Sequence, residues 1–247
     1  MTLEGRTCLV TGSSKGIGRG IAEEFGRHGA DVVVNYRSSE GEAYDVVDAI
    51  ESAGGSAIAV QADVSDLDAV RSMHEEATEA FGNVDVLVNN AGITVDKKFE
   101  NMTRADWDRV IDVNLGGLFN CTKTCFEDIR RADHGRLINV SSVVGQEGNY
   151  GQANYATTKS GMFGFTRTIA LELARDGSTA NCVAPGFVRT DMLAEVSDRV
   201  KENILKRIPL NRFANVDDVT GIVRFLASED SGYMTGQILG VNGGMEW

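Results

Sequence analysis

The feature that most restricts the fold of this chain is an alternation. Short apolar runs recur between helix-length stretches: residues 7–11 (TCLVT), 31–36 (DVVVNY), 56–61 (SAIAVQ), 84–89 (VDVLVN), 136–140 (RLINV), 179–184 (TANCVA) and 237–241 (QILGV). They are rich in β-branched residues and lack polar alternation, so they read as strands buried on both faces. Strand–helix–strand repetition of this kind gives a doubly wound parallel sheet with helices on both sides. The intervening segments carry helical periodicity. Ile17, Ile21 and Phe25 share a face before Gly29, 42–53 stops at Gly54-Gly55, and 67–81 stops at Gly82. A long helix is expected over 104–131, weakened in its middle by Gly116-Gly117, another from before Tyr155 to about Arg175, and one over 216–228. There is no repeat, linker or low-complexity segment, so 1–247 is expected to form a single α/β domain.

The first strand runs directly into Gly12-Ser13-Ser14-Lys15-Gly16-Ile17-Gly18. A Gly-x-x-x-Gly-x-Gly turn between a strand and a helix is the setting for binding a dinucleotide. Gly12 permits the tight turn, Gly16 a close backbone approach to a pyrophosphate, and Gly18 close helix–strand packing. The helix N-terminus then offers free N–H groups to the anion. Sites for NAD usually carry an acid at the end of strand two. Here that strand ends Asn35-Tyr36-Arg37-Ser38, with no acid. Arg37, with Lys15 in the glycine turn, suits a 2′-phosphate, so NADPH (NADP+) is expected. Asp63 and Val64 follow strand three, where a carboxylate and a backbone N–H suit an adenine edge. Asn89 and then Asn90, Ala91 and Gly92 follow strand four, where small residues leave room for the cofactor.

Further on, Ser142 is followed by Tyr155 and Lys159. Four residues apart on a helix, Tyr155 and Lys159 share one face. An ammonium there favours the phenolate, so the tyrosine pKa is expected below its reference of about 10. Such a phenol, with the Ser142 hydroxyl beside it, suits proton transfer to a carbonyl or from a carbinol. The set supplies no hydride, so a cofactor must. Asn114 lies inside the long helix, where a polar residue usually marks a kink or a local bond.

Composition excludes some partners. The formal net charge is −12, which argues against nucleic acid. No apolar run is long enough for a membrane span, and the opening MTLEGRTCLV lacks the pattern of a signal peptide. Cys8, Cys121, Cys125 and Cys182 show no metal-ligand spacing, so no metal is expected and the cytoplasm is the default compartment. Only 7 of the 24 basic residues are lysine. The acidic, lysine-poor surface fits either a salt-adapted source or an ordinary acidic protein.

Taken together and in this order, Thr11-Gly12 to Gly18, Asn89 to Gly92, Asn114, Ser142, Tyr155-x-x-x-Lys159 and Pro185-Gly186 resemble the short-chain dehydrogenase/reductase family across essentially the whole chain. The resemblance implies a Rossmann-type fold and a homotetramer. It also implies that Tyr155 is the general acid, that Lys159 lowers its pKa and binds the nicotinamide ribose, and that Ser142 orients the substrate carbonyl. Asn114 is implied to hold a water in a proton relay to Lys159, and Val188 and Thr190, in the segment after Pro185-Gly186, to bind the carboxamide. Within the family, NAGITVDKKFENMTRADWDRVIDVNL, GQEGNYGQANYATTKSG and TGQILGVNGGM are most similar to reductases of 3-oxoacyl thioesters. Both the acetoacetyl-CoA reductases of polyhydroxyalkanoate synthesis and the 3-oxoacyl-(acyl-carrier-protein) reductases of fatty acid synthesis fit. The acidic surface tips the expectation to CoA, because an acidic carrier protein would be repelled. A small basic cluster, Arg130, Arg131 and Arg136, is a candidate for receiving phosphates. Asn149 and Gln152, before Tyr155, are either substrate contacts or plain loop residues.

The segment 186–215 breaks the alternation with two helical pieces and PLNRFA, and is placed to act as a lid after strand six. Its Met192, Leu193 and Val196 among Glu195, Arg199, Lys201 and Glu202 do not distinguish a thioester from another substrate. An NAD(P)-dependent secondary alcohol, sugar or steroid dehydrogenase on the same fold is therefore the alternative, and a non-catalytic dinucleotide sensor a third reading.

Overall fold

The structure is a computed structural model and describes residues 2–194 and 196–246, with the side chain of Met192 left out. The apolar runs form one parallel sheet of strands β1 (Thr7–Val10), β2 (Asp31–Tyr36), β3 (Ser56–Gln61), β4 (Val86–Asn89), β5 (Arg136–Val140), β6 (Thr179–Pro185) and β7 (Ile238–Val241). Their spatial order is β3-β2-β1-β4-β5-β6-β7. The order reverses between β1 and β4, and this switch point opens the crevice in which doubly wound sheets bind ligands. In register, Cys8 and Val10 of β1 lie opposite Val32 and Val34 on one side and Val86 and Val88 on the other.

Helices α1 (Gly16–Arg27), α2 (Glu40–Ser52), α3 (Leu67–Phe81), α4 (Arg104–Ile111), α5 (Gly117–Arg131), α6 (Val144–Glu147), α7 (Ala153–Leu173), α8 (Asp191–Ala194), α9 (Asp198–Leu205) and α10 (Asp217–Ala227) connect the strands. Ile21 and Phe25 of α1, Val46 and Ile50 of α2 and Val219 and Val223 of α10 pack with Val10, Val32 and Val34 on one face of the sheet. Val70 and Met73 of α3, Cys121, Cys125 and Ile129 of α5 and Leu173 of α7 pack with Leu9, Val33 and Leu87 on the other. All four cysteines are free and buried. Among the described residues no helix is long and apolar enough to cross a membrane.

The expected strands and helices are present, with two local differences. The segment expected as one helix over 104–131 contains a π turn at Asp112–Gly116 between α4 and α5, so the irregularity begins four residues before the glycine pair and ends on its first member. The four-residue α6 sits between Ser142 and α7, where no element was expected. After β6, residues 186–215 form α8, α9 and a small cluster of their own, in which Leu193, Ile204, Ile208 and Phe213 are buried. The expectations for the Met192 side chain and for Glu195 lie outside the described residues.

Candidate active site

The glycine turn is fastened from below by a residue the motif does not include. Asn35, fully buried in β2, accepts the Gly12 N–H through Oδ1 at 3.0 Å, and its backbone carbonyl accepts the Ser13 N–H at 2.9 Å. Its amide nitrogen donates to Ala62 O at 3.2 Å. Ser13 is buried too, and its hydroxyl donates to Val10 O at 2.7 Å. Both polar groups of Ser13 are therefore engaged inside the protein, and it shapes the turn from within rather than facing a phosphate. Gly12 and Gly16 hold φ of +61° and +57°, a region glycine enters without strain. A Cβ on Gly12 would stand 3.0 Å from Ala91 Cα, and one on Gly18 would stand 2.4 Å from Asn90 Nδ2. The turn after β1 and the turn after β4 are thus packed backbone against backbone. Asn90 Nδ2 stitches them further, donating to Thr11 O and Gly12 O at 2.9 and 3.0 Å. Ser14 is buried beside them and Ile17 packs at the edge of the core.

Helix α1 begins after this turn with no side-chain cap and no acid in its first turn. By contrast, Asp66 caps α3, and Thr103 and Asp106 close a capping box on α4. An uncapped helix start behind a bare glycine cradle fits the pyrophosphate of a dinucleotide, which the residues present are suited to hold. Arg37 lies exposed past the end of β2, with Nη1 3.9 Å from Asp63. Lys15 is also exposed, and its ammonium is paired with Glu42 at 2.7 Å. Both expected cations are exposed, and each stands beside an acid. Two Ser65 hydrogen bonds and the Arg37 charge outweigh burial and hold the Asp63 carboxyl below its ordinary value. Val64 is buried, and its carbonyl accepts from Asn120 Nδ2 at 2.9 Å, a contact no motif announced. Past β6, Pro185 O accepts from Val143 N at 2.8 Å and Gly186 N donates to Val241 O at 3.0 Å. Thr190 approaches the glycine turn from above, with its Cγ2 at 3.5 Å from where a Gly16 Cβ would stand, and Val188 is buried beneath it.

Ser142, Tyr155 and Lys159 meet on the β4–β6 side of the same crevice. The Ser142 hydroxyl accepts from Val144 N at 3.1 Å and lies near enough to the Tyr155 phenol to favour its ionisation. The segment bearing Ser142 is sewn to α7 at the lysine: Ser141 Oγ donates to Lys159 O at 2.7 Å, and Ser160 Oγ to Gly145 O at 2.5 Å. A Cβ on Gly145 would meet the Lys159 backbone at 2.8 Å, so glycine allows the two helices to touch there. From behind, a buried polar ladder sets α7 on the sheet: Asn89 Nδ2 donates to Asn139 Oδ1 at 3.0 Å, and Asn139 Nδ2 to Thr166 Oγ1 at 2.9 Å.

The expected drop in the tyrosine pKa is reversed. Burial pushes the Tyr155 phenol up to about 12, with the Ser142 hydroxyl working downward and the Asp96 charge upward. The spacing put Lys159 on the correct face but did not aim it. Its Nζ stands 5.5 Å from the centre of the tyrosine ring and donates to Val140 O at 2.8 Å. The ammonium is itself buried, and burial pulls its pKa down to about 8, the nearby Cys182 working the other way. At neutral pH the pair is a neutral phenol over a charged ammonium, which is the proton-donating state.

Asn114 lies in the π turn, a distortion frequent at functional sites. Its side chain accepts from Ile93 N at 2.8 Å and donates to Ile93 O and Thr158 Oγ1, both at 3.0 Å. The amide therefore ties the loop after β4 to α7. Asn149 and Gln152 do lie at the rim of the site, but they hold each other, and Gln152 holds Asp96. Of the basic cluster, Arg130 and Arg131 are at the surface on Glu127. Arg136 is not: as the first residue of β5 it is fully buried, donates to Ser228 O and Gly135 O, and can receive no external phosphate.

A family profile described as Enoyl-(Acyl carrier protein) reductase matches residues 12–246. A 3-oxoacyl-(acyl-carrier-protein) reductase of Staphylococcus aureus is 48% identical over 240 residues, 97% of this chain and 98% of that protein. Proteins of the same name from Synechocystis and Thermotoga maritima are 46% and 42% identical over 244 and 245 residues, covering 98% and 99% of both chains. Carrying a nucleotide-shaped glycine cradle beside a serine–tyrosine–lysine proton donor, and matched over nearly its full length, the chain belongs to the short-chain dehydrogenase/reductase family, as an oxidoreductase acting on a keto group.

Proposed function

We propose that this protein reduces 3-oxoacyl thioesters to 3-hydroxyacyl thioesters with NADPH, and that the acyl group is presented on acyl carrier protein. The observation that carries the reading is the Ser142–Tyr155 hydroxyl pair above a buried Lys159 ammonium, at the mouth of the crevice headed by the glycine turn. The nicotinamide cofactor brings the hydride for the ketone carbon. The chain's own residues handle the oxygen. The Ser142 and Tyr155 hydroxyls together hold the substrate carbonyl oxygen. As negative charge gathers on that oxygen, Tyr155 gives it the phenol proton. Lys159, charged below about pH 8, lowers the cost of the phenolate left behind. The amides of Asn114 are engaged with Ile93 and Thr158, so its part is to hold the floor next to Lys159.

The leaning towards CoA rested on net charge, and the names of the relatives favour the carrier protein instead. Net charge is a whole-surface quantity, whereas docking depends on the patch around the entrance. NADPH is supported by Arg37 and Lys15 at the adenosine end and by the absence of an acid at the end of β2. Residues 186–215 serve as the lid, the cytoplasm as the working compartment and a homotetramer as the working form. Turnover of acetoacetyl-carrier protein and acetoacetyl-CoA, each with NADPH and with NADH at one ionic strength, tests the whole reading. A higher kcat/KM for carrier protein with NADPH is expected. Turnover of secondary alcohols alone would replace it with the dehydrogenase alternative.

A further inference from the structure

The rim above Tyr155 is built from two segments laid side by side. Lys97 N donates to Gly151 O at 2.8 Å, and Asn154 Nδ2 donates to Val95 O at 3.1 Å. Between these two contacts stands Asp96. Gln152 Nε2 donates to both of its carboxylate oxygens, at 2.9 and 3.0 Å, and to Thr94 Oγ1 at 3.3 Å. The Thr94 hydroxyl also donates to Asp96, and Asn149 Nδ2 donates to Gln152 Oε1 at 2.8 Å. One amide and a hydroxyl thus fix the carboxylate on the segment leading into the reacting tyrosine, and a second amide fixes the first. Its charge is not neutralised by the cations that follow it in the chain. The Lys97 ammonium is on Asp106 at 2.8 Å, and that of Lys98 is nearest Glu100 at 3.8 Å. Among the described residues no basic side chain forms an ion pair with Asp96. Its field reaches the phenol, where it helps to keep the proton on Tyr155.

We propose that Asp96, held by Gln152, Asn149 and Thr94, is a specificity-determining residue that bars 3-oxo compounds bearing a free carboxylate and admits their uncharged esters and thioesters. The inference rests on the reading of the chain as a 3-oxoacyl thioester reductase. In a bound 3-oxo acid the ketone oxygen lies on Ser142 and Tyr155, and the carboxylate is only one methylene removed from the ketone carbon. Asp96 is bonded to Gln152, three residues ahead of Tyr155, and its charge bears on the phenol, so an anion two bonds from the ketone stands in the same field. In the thioester the same position is neutral. Asp96 is exposed, so the repulsion is partly screened, and a discrimination of about tenfold or more in kcat/KM is expected from one like-charge pair.

The test compares acetoacetate, methyl acetoacetate and the acetoacetyl thioester of N-acetylcysteamine with saturating NADPH. In the natural protein the ester-to-acid ratio of kcat/KM is expected to exceed tenfold, and to shrink as KCl rises from about 0.05 to 1 M. Asp96→Asn should lower the ratio about tenfold and remove its salt dependence, whereas Asp96→Glu should keep both. Equal use of acid and ester by the natural protein, or an unchanged ratio in Asp96→Asn, overturns the proposal. Should Asp96→Asn fail to fold, the salt series on the natural protein decides, and a ratio flat in salt overturns the proposal. Failure to reduce either neutral substrate is a different result, because it removes the reductase reading itself.

Discussion

Replacing Lys159 by methionine should abolish reduction and yet stabilise the protein at neutral pH. The lysine is almost wholly buried, and burial lowers its pKa from 10.5 to about 8. A shift of that size corresponds to about 3 kcal/mol of penalty for holding the ammonium inside the fold. The sign follows from proton binding. Between pH 8 and 10.5 the unfolded chain holds the lysine proton more often than the native one, so stability rises with pH through that window and the penalty is complete below it. Methionine fills similar space against Met162, whose sulfur lies 4.0 Å from Nζ, and brings no charge. It leaves Val140 O without its 2.8 Å donor, a loss of about 1 kcal/mol. The net gain at pH 7 is therefore about 2 kcal/mol, or about 4–8 °C in Tm for a chain of this size. It should fade to nothing by about pH 10, where the natural lysine is neutral in the fold. Thermal unfolding of both proteins without nucleotide, at one protein concentration and at a series of pH values, measures the difference. A variant less stable than the natural protein at pH 7, or a difference that does not change with pH, refutes the reasoning. Either result would mean that the ammonium is solvated by something other than Val140 and the two sulfur-bearing neighbours.

The other predictions can be checked with the same preparations. Tyr155→Phe removes the proton donor and should cost roughly 10²–10⁴-fold in kcat while NADPH titration by fluorescence is unchanged; near-normal turnover would end the assigned role. Arg37→Asp puts an acid where NAD-specific sites carry one, so kcat/KM should fall at least about tenfold with NADPH and rise with NADH. Asn35→Ala strands the Gly12 N–H and the carbonyls bonded by its amide, so it should lower stability by about 2–4 kcal/mol in urea titrations and weaken nucleotide binding. If the net charge of −12 strains the fold, thermal stability should rise between low salt and molar KCl, and a flat response would dismiss salt adaptation.

The strands were legible because the central ones are buried on both faces, and a parallel sheet leaves that as an unbroken apolar run. The glycine turn was legible because backbone conformation and close approach are written in the absence of side chains: Gly12 and Gly18 can be nothing else where Ala91 and Asn90 press against them. The π turn was not, since VNLGG contains glycines that offer a simpler place to break, and what fixes the distortion is the engagement of Asn114 with a loop and a helix distant in sequence. Arg136 misled because neighbours in sequence were read as neighbours in space; the arginine opens a strand, and strands here lie in the core.

Polar interruptions of the apolar runs carried a signal that periodicity passes over. Asn35, Asn89 and Asn139 each sit near the carboxyl end of a strand and directly after a run of valine, leucine or isoleucine. A buried amide must find partners, and at the carboxyl ends the available partners are the turns that build the site. Asn35 holds the glycine turn, and Asn89 with Asn139 holds α7 and therefore Lys159. The same logic explains the reversed tyrosine pKa. Spacing along a helix determines which face a side chain shares, but depth determines how strongly the phenol and ammonium are penalised for carrying charge. With Lys159 anchored to Val140 O under the ring, the protein holds its acid protonated and its cation on the edge of losing a proton. Burial at two positions four residues apart thus decides the resting protonation of the pair, a neutral phenol beside an ammonium, which is the state from which a proton can pass to a ketone oxygen.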